Sequence, residues 1–376
     1  MSILFTPAKI GTMVIPNRLI RSATVERMAD VTGTPNEKMK TLWTNLAAGG
    51  VGLIITGHMY VHPSGKASPE MAGIYSDSRV PALADCVKSV HAAGGLIVPQ
   101  LNHGGVRCDP STVEEVMAPS EVDNELIAPR HAREMTANEI ADAILAFGQA
   151  ARRAKNAGFD GVQIHGAHGY LISQFFSPLT NRRTDDWGGS LENRTRFLRE
   201  ACKEIRHQVG ADFPVLIKLG MEDGVQGGLC QEDMLIVASQ LEEMGIDMVE
   251  VSGAMSGPLH SNIETRVRNI NEEAYFRSWA QQVKQRTALP VSLVGGLRSK
   301  SVMEDVLASG DADFISLCRP LISEPDLPKR LQYGDSDHSR CISATLCYPK
   351  NFGEGISCKC NGSTCKTRIH GSFNPI

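Results

Sequence analysis

Three side chains that can donate hydrogen bonds or protons follow directly after one apolar segment of the chain. Residues 159–164 form a short, largely apolar run that predicts a buried strand, and His165, His168 and Tyr170 come within the next six positions. Histidine supplies hydrogen bonds or charge near neutral pH, and tyrosine supplies a proton from a weak acid. Because barrel enzymes keep their chemistry at the C-terminal ends of strands, this spacing predicts an active site.

Other roles for these three residues stay open at this stage. Two histidines three positions apart can be structural residues with satisfied hydrogen bonds, or they can bind zinc. No third ligand is evident close by in the sequence, so we predict no metal there. The tyrosine can likewise be a packing residue whose hydroxyl is already bonded.

A helix, a glycine and an apolar strand recur in this order along the chain. Glycine just past a helix end is the usual left-handed stop, and strands that are apolar throughout are typical of parallel sheets buried on both faces. Eight such units predict an α/β protein with a closed (β/α)8 TIM barrel, and an open doubly wound sheet is the alternative. We expect the strands within residues 19–24, 47–57, 92–101, 156–165, 208–218, 243–253, 289–296 and 308–318. We expect the helices at about 36–48, 80–92, 138–156, 191–208, 232–243, 272–286, 299–308 and 325–332.

Two segments depart from this repeating pattern. Residues 102–137 form a long, polar, proline-containing loop after the third strand, which is either a lid or binding element or a surface insertion. The end of the chain is rich in cysteine and has little periodicity. We therefore expect residues 1–334 to form the barrel and residues 335–376 to be an extension, not a separate domain.

Composition excludes several classes of function. The 376 residues are 42% hydrophobic and 21% charged, and the net charge of −4 arises from acidic and basic residues mixed throughout. We therefore expect no nucleic-acid partner and no membrane-surface partner. No apolar run approaches the ~18 residues of a membrane span, and the N-terminus lacks the pattern of a leader, so we expect a cytoplasmic protein.

Six sequence blocks together resemble the Old Yellow Enzyme family. Residues 165–197 read HGAHGYLISQFFSPLTNRRTDDWGGSLENRTRF. PNRLIRSA, GLIITG, PQLNHGG, VGGLRS and ISLCRPLISEPDL also fall in the family's order, between residue 3 and about residue 333. The resemblance implies a barrel that binds FMN, takes NAD(P)H as a transient co-substrate and reduces electron-poor alkenes.

The resemblance assigns roles to the three residues after strand four. His165 and His168 would hydrogen-bond the carbonyl or nitro oxygen of the substrate, and Tyr170 would protonate its α-carbon. Negative charge grows on that oxygen when hydride reaches the β-carbon, so two fixed donors stabilise the transition state more than the ground state. A phenol with an ordinary pKa of about 10 stays protonated at neutral pH and can protonate a developing carbanion.

Further residues match the family's flavin-binding positions. Gly295 and Gly296 end strand seven, and Cys318 and Arg319 end strand eight, where barrels usually bind phosphate. Glycines let backbone N–H groups approach a phosphate, and arginine supplies a charged fork. A cation near the flavin N1–C2=O edge would favour the anionic reduced flavin and so tune the redox potential. The matching residues are Ala23, Thr24 and Gly57 beside the ring, Gln100 at its pyrimidine edge and Lys218 as that cation.

The cysteine-rich tail resembles longer relatives that bind a 4Fe–4S cluster. Cys341, Cys347 and Cys358 match three ligand positions, but Ala344 stands in place of the second ligand. Because four thiolates are the usual set, we expect no iron–sulfur cluster. A cluster completed by Cys360 or Cys365, a zinc site and inert thiols stay open as alternatives.

The function predicted from the resemblance is a ping-pong reduction of α,β-unsaturated carbonyl or nitro compounds by NAD(P)H. Val25 departs from the family, because many relatives carry threonine or cysteine there and hydrogen-bond the flavin.

One alternative function is a barrel hydrolase or lyase with a metal or phosphate site, for which Glu222 and Asp223 are the nearest carboxylates. A flavin-binding protein without turnover is another, and a homo-oligomer is left open.

Overall fold

The computed structural model describes residues 2–121, 131–253, 267–349, 351 and 353–360. In this part of the chain, eight parallel strands close into a barrel, in which the last strand pairs back with the first through Ile315 and Leu19. Every residue of these strands is buried, as continuous apolar runs predict. The strands are β1 (Leu19–Arg21), β2 (Leu53–Tyr60), β3 (Ile97–Asn102), β4 (Val162–Gly166), β5 (Val215–Gly220), β6 (Met248–Ser252), β7 (Val291–Val294) and β8 (Phe314–Leu317).

Helices separate consecutive strands, so the predicted (β/α)8 TIM barrel is confirmed and the open doubly wound sheet is excluded by the closure. Two short helices, Leu171–Phe176 and Arg319–Ser323, were not predicted, since neither is long enough to show a helical period. The helices of the described residues are α1 (Glu37–Ala48), α2 (Val80–Ala92), α3 (Ala137–Asn156), α4 (Leu171–Phe176), α5 (Leu191–Val209), α6 (Gln231–Gln240), α7 (Arg277–Lys284), α8 (Lys300–Ala308), α9 (Arg319–Ser323) and α10 (Leu327–Tyr333).

Helix α7 is shorter than the predicted helix at 272–286. Ala274 has a φ of 55°, which a right-handed helix does not allow. The Glu273 carboxylate accepts hydrogen bonds from the backbone N–H groups of Arg298 (2.7 Å) and Ser299 (2.8 Å). The first residues of the predicted helix therefore anchor the loop after β7.

An N-terminal hairpin closes one end of the barrel. Its antiparallel strands, Ala8–Ile10 and Met13–Ile15, pack their apolar side chains against residues of the barrel interior, among them Leu53 of β2 and Leu216 of β5. The opposite end, where the strands have their C-termini, carries the loops. Binding sites of barrels lie at that end.

The long loop 102–137 is only partly described. Met117–Ala118 and Arg133–Glu134 pair as two short parallel strands, and residues 122–130 lie outside the described part. The lid or binding role of this loop stays a prediction.

Candidate active site

The three predicted catalytic residues come together at the C-terminal end of β4. His165 is buried within the strand, whereas His168 and Tyr170 are half-buried in the turn that follows. The ring centroid of His165 lies 5.0 Å from that of His168 and 4.8 Å from that of Tyr170. His168 has a φ of 62°, a left-handed conformation that few non-glycine residues adopt. Backbone strain of this kind concentrates at functional sites, where the surrounding structure holds a side chain in one direction.

The two imidazoles differ in their hydrogen bonding. His168 Nε2 lies 2.8 Å from Ser252 Oγ at the end of β6. His165 Nδ1 is buried and has no hydrogen-bond partner among the described residues. A buried polar atom without a partner costs about 1–3 kcal/mol, which indicates that a ligand supplies the missing bond.

Both histidines are neutral at pH 7. Burial lowers the pKa of His165 well below its ordinary value, and the neighbouring His168 and His58 rings add to this effect. Burial also lowers the pKa of His168 strongly, with Lys218 as the next contributor. A neutral imidazole donates from one nitrogen only, so each ring can offer a single N–H to a substrate oxygen.

A third histidine, His58 of β2, completes this cluster. Its ring centroid lies 4.9 Å from that of Tyr170 and 6.1 Å from that of His165. Burial, followed by the charge of Arg107, lowers the pKa of His58 to about 4. The pairing of β2 with β3 shifts register between Ile55 and His58, and such bulges re-aim side chains next to active sites.

Arg107 brings a positive charge to the same cluster. It lies in the long loop after β3, and its Cζ atom is 5.8 Å from the centroid of the Tyr170 ring. This distance permits a cation–π interaction. The loop excursion therefore contributes at least one side chain to the site.

Gln100 and Lys218 belong to one buried polar network inside the barrel. Gln100 Nε2 donates to Gln163 Oε1 at 2.7 Å, and Gln163 Nε2 donates to Glu250 Oε2 at 2.8 Å. Lys218 Nζ forms an ion pair with Glu250 Oε2 at 3.1 Å and donates to Ser22 Oγ at 2.7 Å. The network joins the residue after β1 with β3, β4, β5 and β6, so it exists only once the barrel has closed.

The segment after β1 carries Ala23 and Thr24 next to Gly57 of β2. A Cβ atom on Gly57 would lie 2.8 Å from the carbonyl oxygen of Thr24, so only glycine fits. Glu26 Oε1 accepts hydrogen bonds from Gly57 N (3.1 Å) and from Trp43 Nε1 (2.7 Å). The predicted ring-facing residues of β1 and β2 are therefore fixed together.

The predicted phosphate-binding residues end β7 and β8. Gly295 and Gly296 have φ values of 133° and 72°, which favour glycine. A Cβ atom on either residue would lie within 3.0 Å of the Tyr275 ring. Burial raises the pKa of Tyr275 to about 12, and the charge of Arg319 opposes this rise. Tyr275 therefore lies beside both predicted parts of the phosphate site, the glycines and the Cys318–Arg319 segment.

The described part of the tail lies along the loops at this end of the barrel. Arg298 Nη1 donates to the carbonyl oxygen of Cys341 at 3.2 Å, and Ile356 N donates to the carbonyl oxygen of Glu26 at 2.9 Å. Burial raises the pKa of Cys347 to about 11, so this thiol is protonated at neutral pH. Among the described residues, no group of three or more His, Cys, Asp and Glu side chains is placed to hold a metal ion. Cys365 lies outside the described residues.

Of Glu222 and Asp223, the two carboxylates named for the alternative metal or phosphate site, Asp223 forms hydrogen bonds that fix the local structure. Asp223 Oδ2 accepts hydrogen bonds from Ser177 Oγ and from Leu229 N, the latter at 2.8 Å, and so fixes the loop after β5.

None of the helices within the described ranges is both long and apolar enough to cross a membrane.

Four residues of the site were missed by the sequence reasoning, namely His58, Arg107, Gln163 and Glu250. A signal existed for two of them. Gln163 and Glu250 are polar residues inside otherwise apolar strands, and a polar residue buried in a barrel interior needs a partner there. For His58 and Arg107, the bulge and the loop conformation decide the direction of the side chain.

Comparisons with known sequences place the chain among flavin enzymes. The sequence model of the NADH:flavin oxidoreductase / NADH oxidase family matches residues 3–338. An NADH oxidase from Thermoanaerobacter brockii is 35% identical over 348 residues, which cover 91% of this chain and 53% of that protein. An NADPH dehydrogenase from Clostridium acetobutylicum is 35% identical over 325 residues, which cover 86% of this chain and 92% of that protein. The chain thus spans about half the length of the first relative.

Solved structures share the fold over most of the chain. A 2-naphthoyl-CoA reductase in complex with 2-naphthoyl-CoA has a TM-score of 0.84 at 29% identity, over 90% of this chain and 53% of that one. An old yellow enzyme homologue from Zymomonas mobilis has a TM-score of 0.77 at 27% identity, over 93% and 98% of the two chains. Morphinone reductase in complex with tetrahydroNAD has a TM-score of 0.76 at 27% identity, over 90% and 93%.

The residues at the C-terminal end of the barrel fit a flavin. Gly57, Gly295 and Gly296 keep the backbone bare where any side chain would collide with its neighbours. His165 Nδ1 and Glu250 Oε1 are buried polar atoms without hydrogen-bond partners in the described part of the chain. A bound group with both apolar faces and polar edges satisfies these features.

Proposed function

The chain belongs to the NADH:flavin oxidoreductase / NADH oxidase family, and on this premise we propose that it reduces the carbon–carbon double bond of electron-poor alkenes with NAD(P)H as reductant. The Old Yellow Enzyme resemblance found in the sequence is confirmed, and FMN is the cofactor. The proposed substrates are α,β-unsaturated carbonyl or nitro compounds. The convergence of His165, His168 and Tyr170 carries the proposal.

When bound, FMN would supply the hydride-transfer chemistry that couples oxidation of NAD(P)H to reduction of the alkene. We assign its phosphate to the loops after β7 and β8 and its ring to the ends of β1, β2, β3 and β5. The assignment rests on the resemblance and on the fit described above. The residues assigned to FMN are Ala23, Thr24, Gly57, Gln100, Lys218, Gly295, Gly296, Cys318 and Arg319.

His165 and His168 position the substrate by its carbonyl or nitro oxygen. Each neutral ring offers one N–H, and the contact of His168 Nε2 with Ser252 Oγ at 2.8 Å holds the second ring in place. The hydrogen bonds strengthen as negative charge develops on the oxygen, so they act mainly on the transition state. Removing one donor of this kind typically costs about 3 kcal/mol of transition-state stabilisation.

Tyr170 supplies the proton for the α-carbon. Burial raises the pKa of its phenol, and the Arg107 guanidinium opposes that rise. The phenol therefore stays protonated at pH 7. When it gives up its proton, the Arg107 guanidinium beside it stabilises the negative charge that develops on the phenol oxygen. One pocket would serve NAD(P)H and alkene in turn, so ping-pong kinetics are expected.

The proposal extends to the organisation and setting of the chain. We place the activity in residues 1–334 and treat residues 335–376 as an extension of that barrel. The proposed partner is a small electrophilic alkene, and the proposed setting is the cytoplasm. Both NADH and NADPH are candidate reductants.

Absorption spectroscopy of the purified protein tests the proposal. A flavin spectrum that bleaches on anaerobic addition of NADH or NADPH, and returns on addition of 2-cyclohexenone or a nitroalkene with formation of the saturated product, supports it. A flavin that NAD(P)H does not bleach would favour the flavin-binding protein without turnover. A colourless protein that contains metal would favour the hydrolase or lyase.

A further inference from the structure

Glu250 is a fully buried carboxylate that none of the proposed roles uses. It lies in the middle of β6, and its side chain has no exposed surface. Its Oε2 atom holds Lys218 Nζ at 3.1 Å and Gln163 Nε2 at 2.8 Å. Its Oε1 atom has no hydrogen-bond partner in the part of the chain that the structure describes.

Stability alone does not explain an ion pair at this depth. The cost of removing both charges from water can exceed their attraction, and well-packed apolar residues of similar volume are often as stable. Lys218 alone would supply the cation expected at the flavin edge. The carboxylate beside it therefore requires a separate explanation.

The register of the barrel places this pair next to the substrate site. Lys218 lies opposite His165 in the pairing of β4 with β5, and Glu250 lies opposite Lys218 in the pairing of β5 with β6. The three residues form one row across neighbouring strands. A change of charge at Glu250 therefore acts directly on Lys218.

The carboxylate also fixes the orientation of two amides. A carboxylate only accepts hydrogen bonds, so Gln163 must turn its NH2 group towards Glu250 and its oxygen towards Gln100. Gln100 must then donate its own NH2 group to Gln163. The oxygen of Gln100 is the acceptor that it keeps for a ligand.

We propose that Glu250 is a positioning residue that offsets the charge of Lys218 and orients Gln100, and so sets the relative affinity of the site for reduced and oxidised FMN. The inference rests on the proposed flavin site. Burial alone would raise the pKa of Glu250, but Lys218 and the hydrogen bonds outweigh burial and lower that pKa, so the residue is ionised at pH 7. The net charge of the pair is then zero. Reduced FMN carries more negative charge than oxidised FMN, and a pair without net charge does not favour its binding as an unpaired Lys218 would.

The test is the midpoint potential of bound FMN in Glu250→Gln, measured by anaerobic dye-coupled titration, together with FMN affinity. Loss of the carboxylate leaves Lys218 as an uncompensated cation. The affinity for reduced FMN relative to oxidised FMN should then rise about tenfold, which is a rise of about 30 mV for two electrons. Glu250→Asp keeps the charge and should restore a potential close to that of the wild type. Ser292→Ala, at the position paired with Glu250 in β7, is the matched neutral control and should leave the potential unchanged.

Each outcome decides between the alternatives. An unchanged potential in Glu250→Gln with FMN bound overturns the inference and leaves the proposed function standing. Wild-type protein that binds no FMN overturns the proposed flavin site, and the inference with it.

If Glu250→Gln does not fold, Lys218→Met/Glu250→Gln replaces it, because that pair keeps the net charge of the row at zero. A potential near that of the wild type supports the inference. A fall of about 30 mV or more is equivalent to a tenfold loss of affinity for reduced FMN relative to oxidised FMN. Such a fall would show that Lys218 alone sets the potential and would overturn the inference.

Discussion

Arg107 lies over the ring of Tyr170, with its Cζ atom 5.8 Å from the ring centroid. Burial raises the pKa of the Tyr170 phenol, and Arg107 opposes this rise through its charge and a side-chain hydrogen bond. Arg107 comes from the loop after β3, whereas Tyr170 follows β4. The acidity of the proposed proton donor is therefore set in part by the long loop excursion.

Arg107→Met should make Tyr170 a weaker acid. Without the guanidinium, the pKa of Tyr170 rises further, and alkene reduction should slow about tenfold because proton transfer follows acid strength. Rapid mixing of reduced enzyme with 2-cyclohexenone measures this step. Arg107→Lys keeps a cation and should lose less, and equal losses in both variants would argue against the electrostatic account.

Tyr170→Phe should separate the two half-reactions. The ring and its contacts with His58 and His165 are kept, but the proton is lost, so alkene reduction should slow by about 100-fold or more. Reduction of the flavin by NAD(P)H should continue at the wild-type rate. Stopped-flow traces of both steps give the answer, and Tyr333→Phe, at a position 72% exposed, is the matched control. An unchanged alkene step would remove Tyr170 from the proposed role.

The sequence was sufficient for some parts of the site and insufficient for others. The proximity of His165, His168 and Tyr170 could be predicted because they lie within six positions of one another, directly after a recognisable strand. Gln163 and Glu250 are 87 positions apart, and their contact depends on barrel closure and on register. Helix α7 shows the same limit, since the positive φ of Ala274 overrides the helical pattern of the residues around it.

The free energy of unfolding should decrease as the pH drops below the ordinary pKa of histidine, which is about 6.5. Burial lowers the pKa of His58 to about 4 and that of His103 to about 3. Unfolded histidines, with a pKa of about 6.5, therefore bind protons that the folded forms do not bind. The contribution of each residue is complete above about pH 6.5 and is lost progressively as the pH falls towards its folded pKa.

Between about pH 7.5 and about pH 5, each of these histidines should cost about 2 kcal/mol of the free energy of unfolding. Urea unfolding of the FMN-saturated protein at the two pH values measures the loss. His58→Gln keeps a polar group beside Asn102 and should lose about 2 kcal/mol less than the wild type over the same range. An identical pH dependence in the variant would show that His58 has the same pKa in the folded and unfolded states and would contradict the prediction.

Among the described residues around β1, Glu26 is the one whose substitution should destabilise the barrel most. Its Oε1 atom accepts from Trp43 Nε1 at 2.7 Å and from Gly57 N at 3.1 Å, and it forms a buried ion pair with Arg21 at 3.1 Å. Glu26→Ala leaves the Arg21 charge buried without that carboxylate. Breaking a buried pair in this way typically costs about 3–5 kcal/mol.

Denaturant unfolding measures the free energy of unfolding of Glu26→Ala and, as a control, of Glu37→Ala. The Glu37 side chain is 85% exposed and lies 3.7 Å from Lys40, so its loss should cost less than about 0.5 kcal/mol. Glu26→Ala should also release FMN faster, because the same carboxylate holds Gly57 next to Thr24 in the proposed ring site. Equal losses in the two variants would contradict the assignment of Glu26 as the residue that joins β1 to β2. A large loss of stability with unchanged FMN release would limit its role to folding.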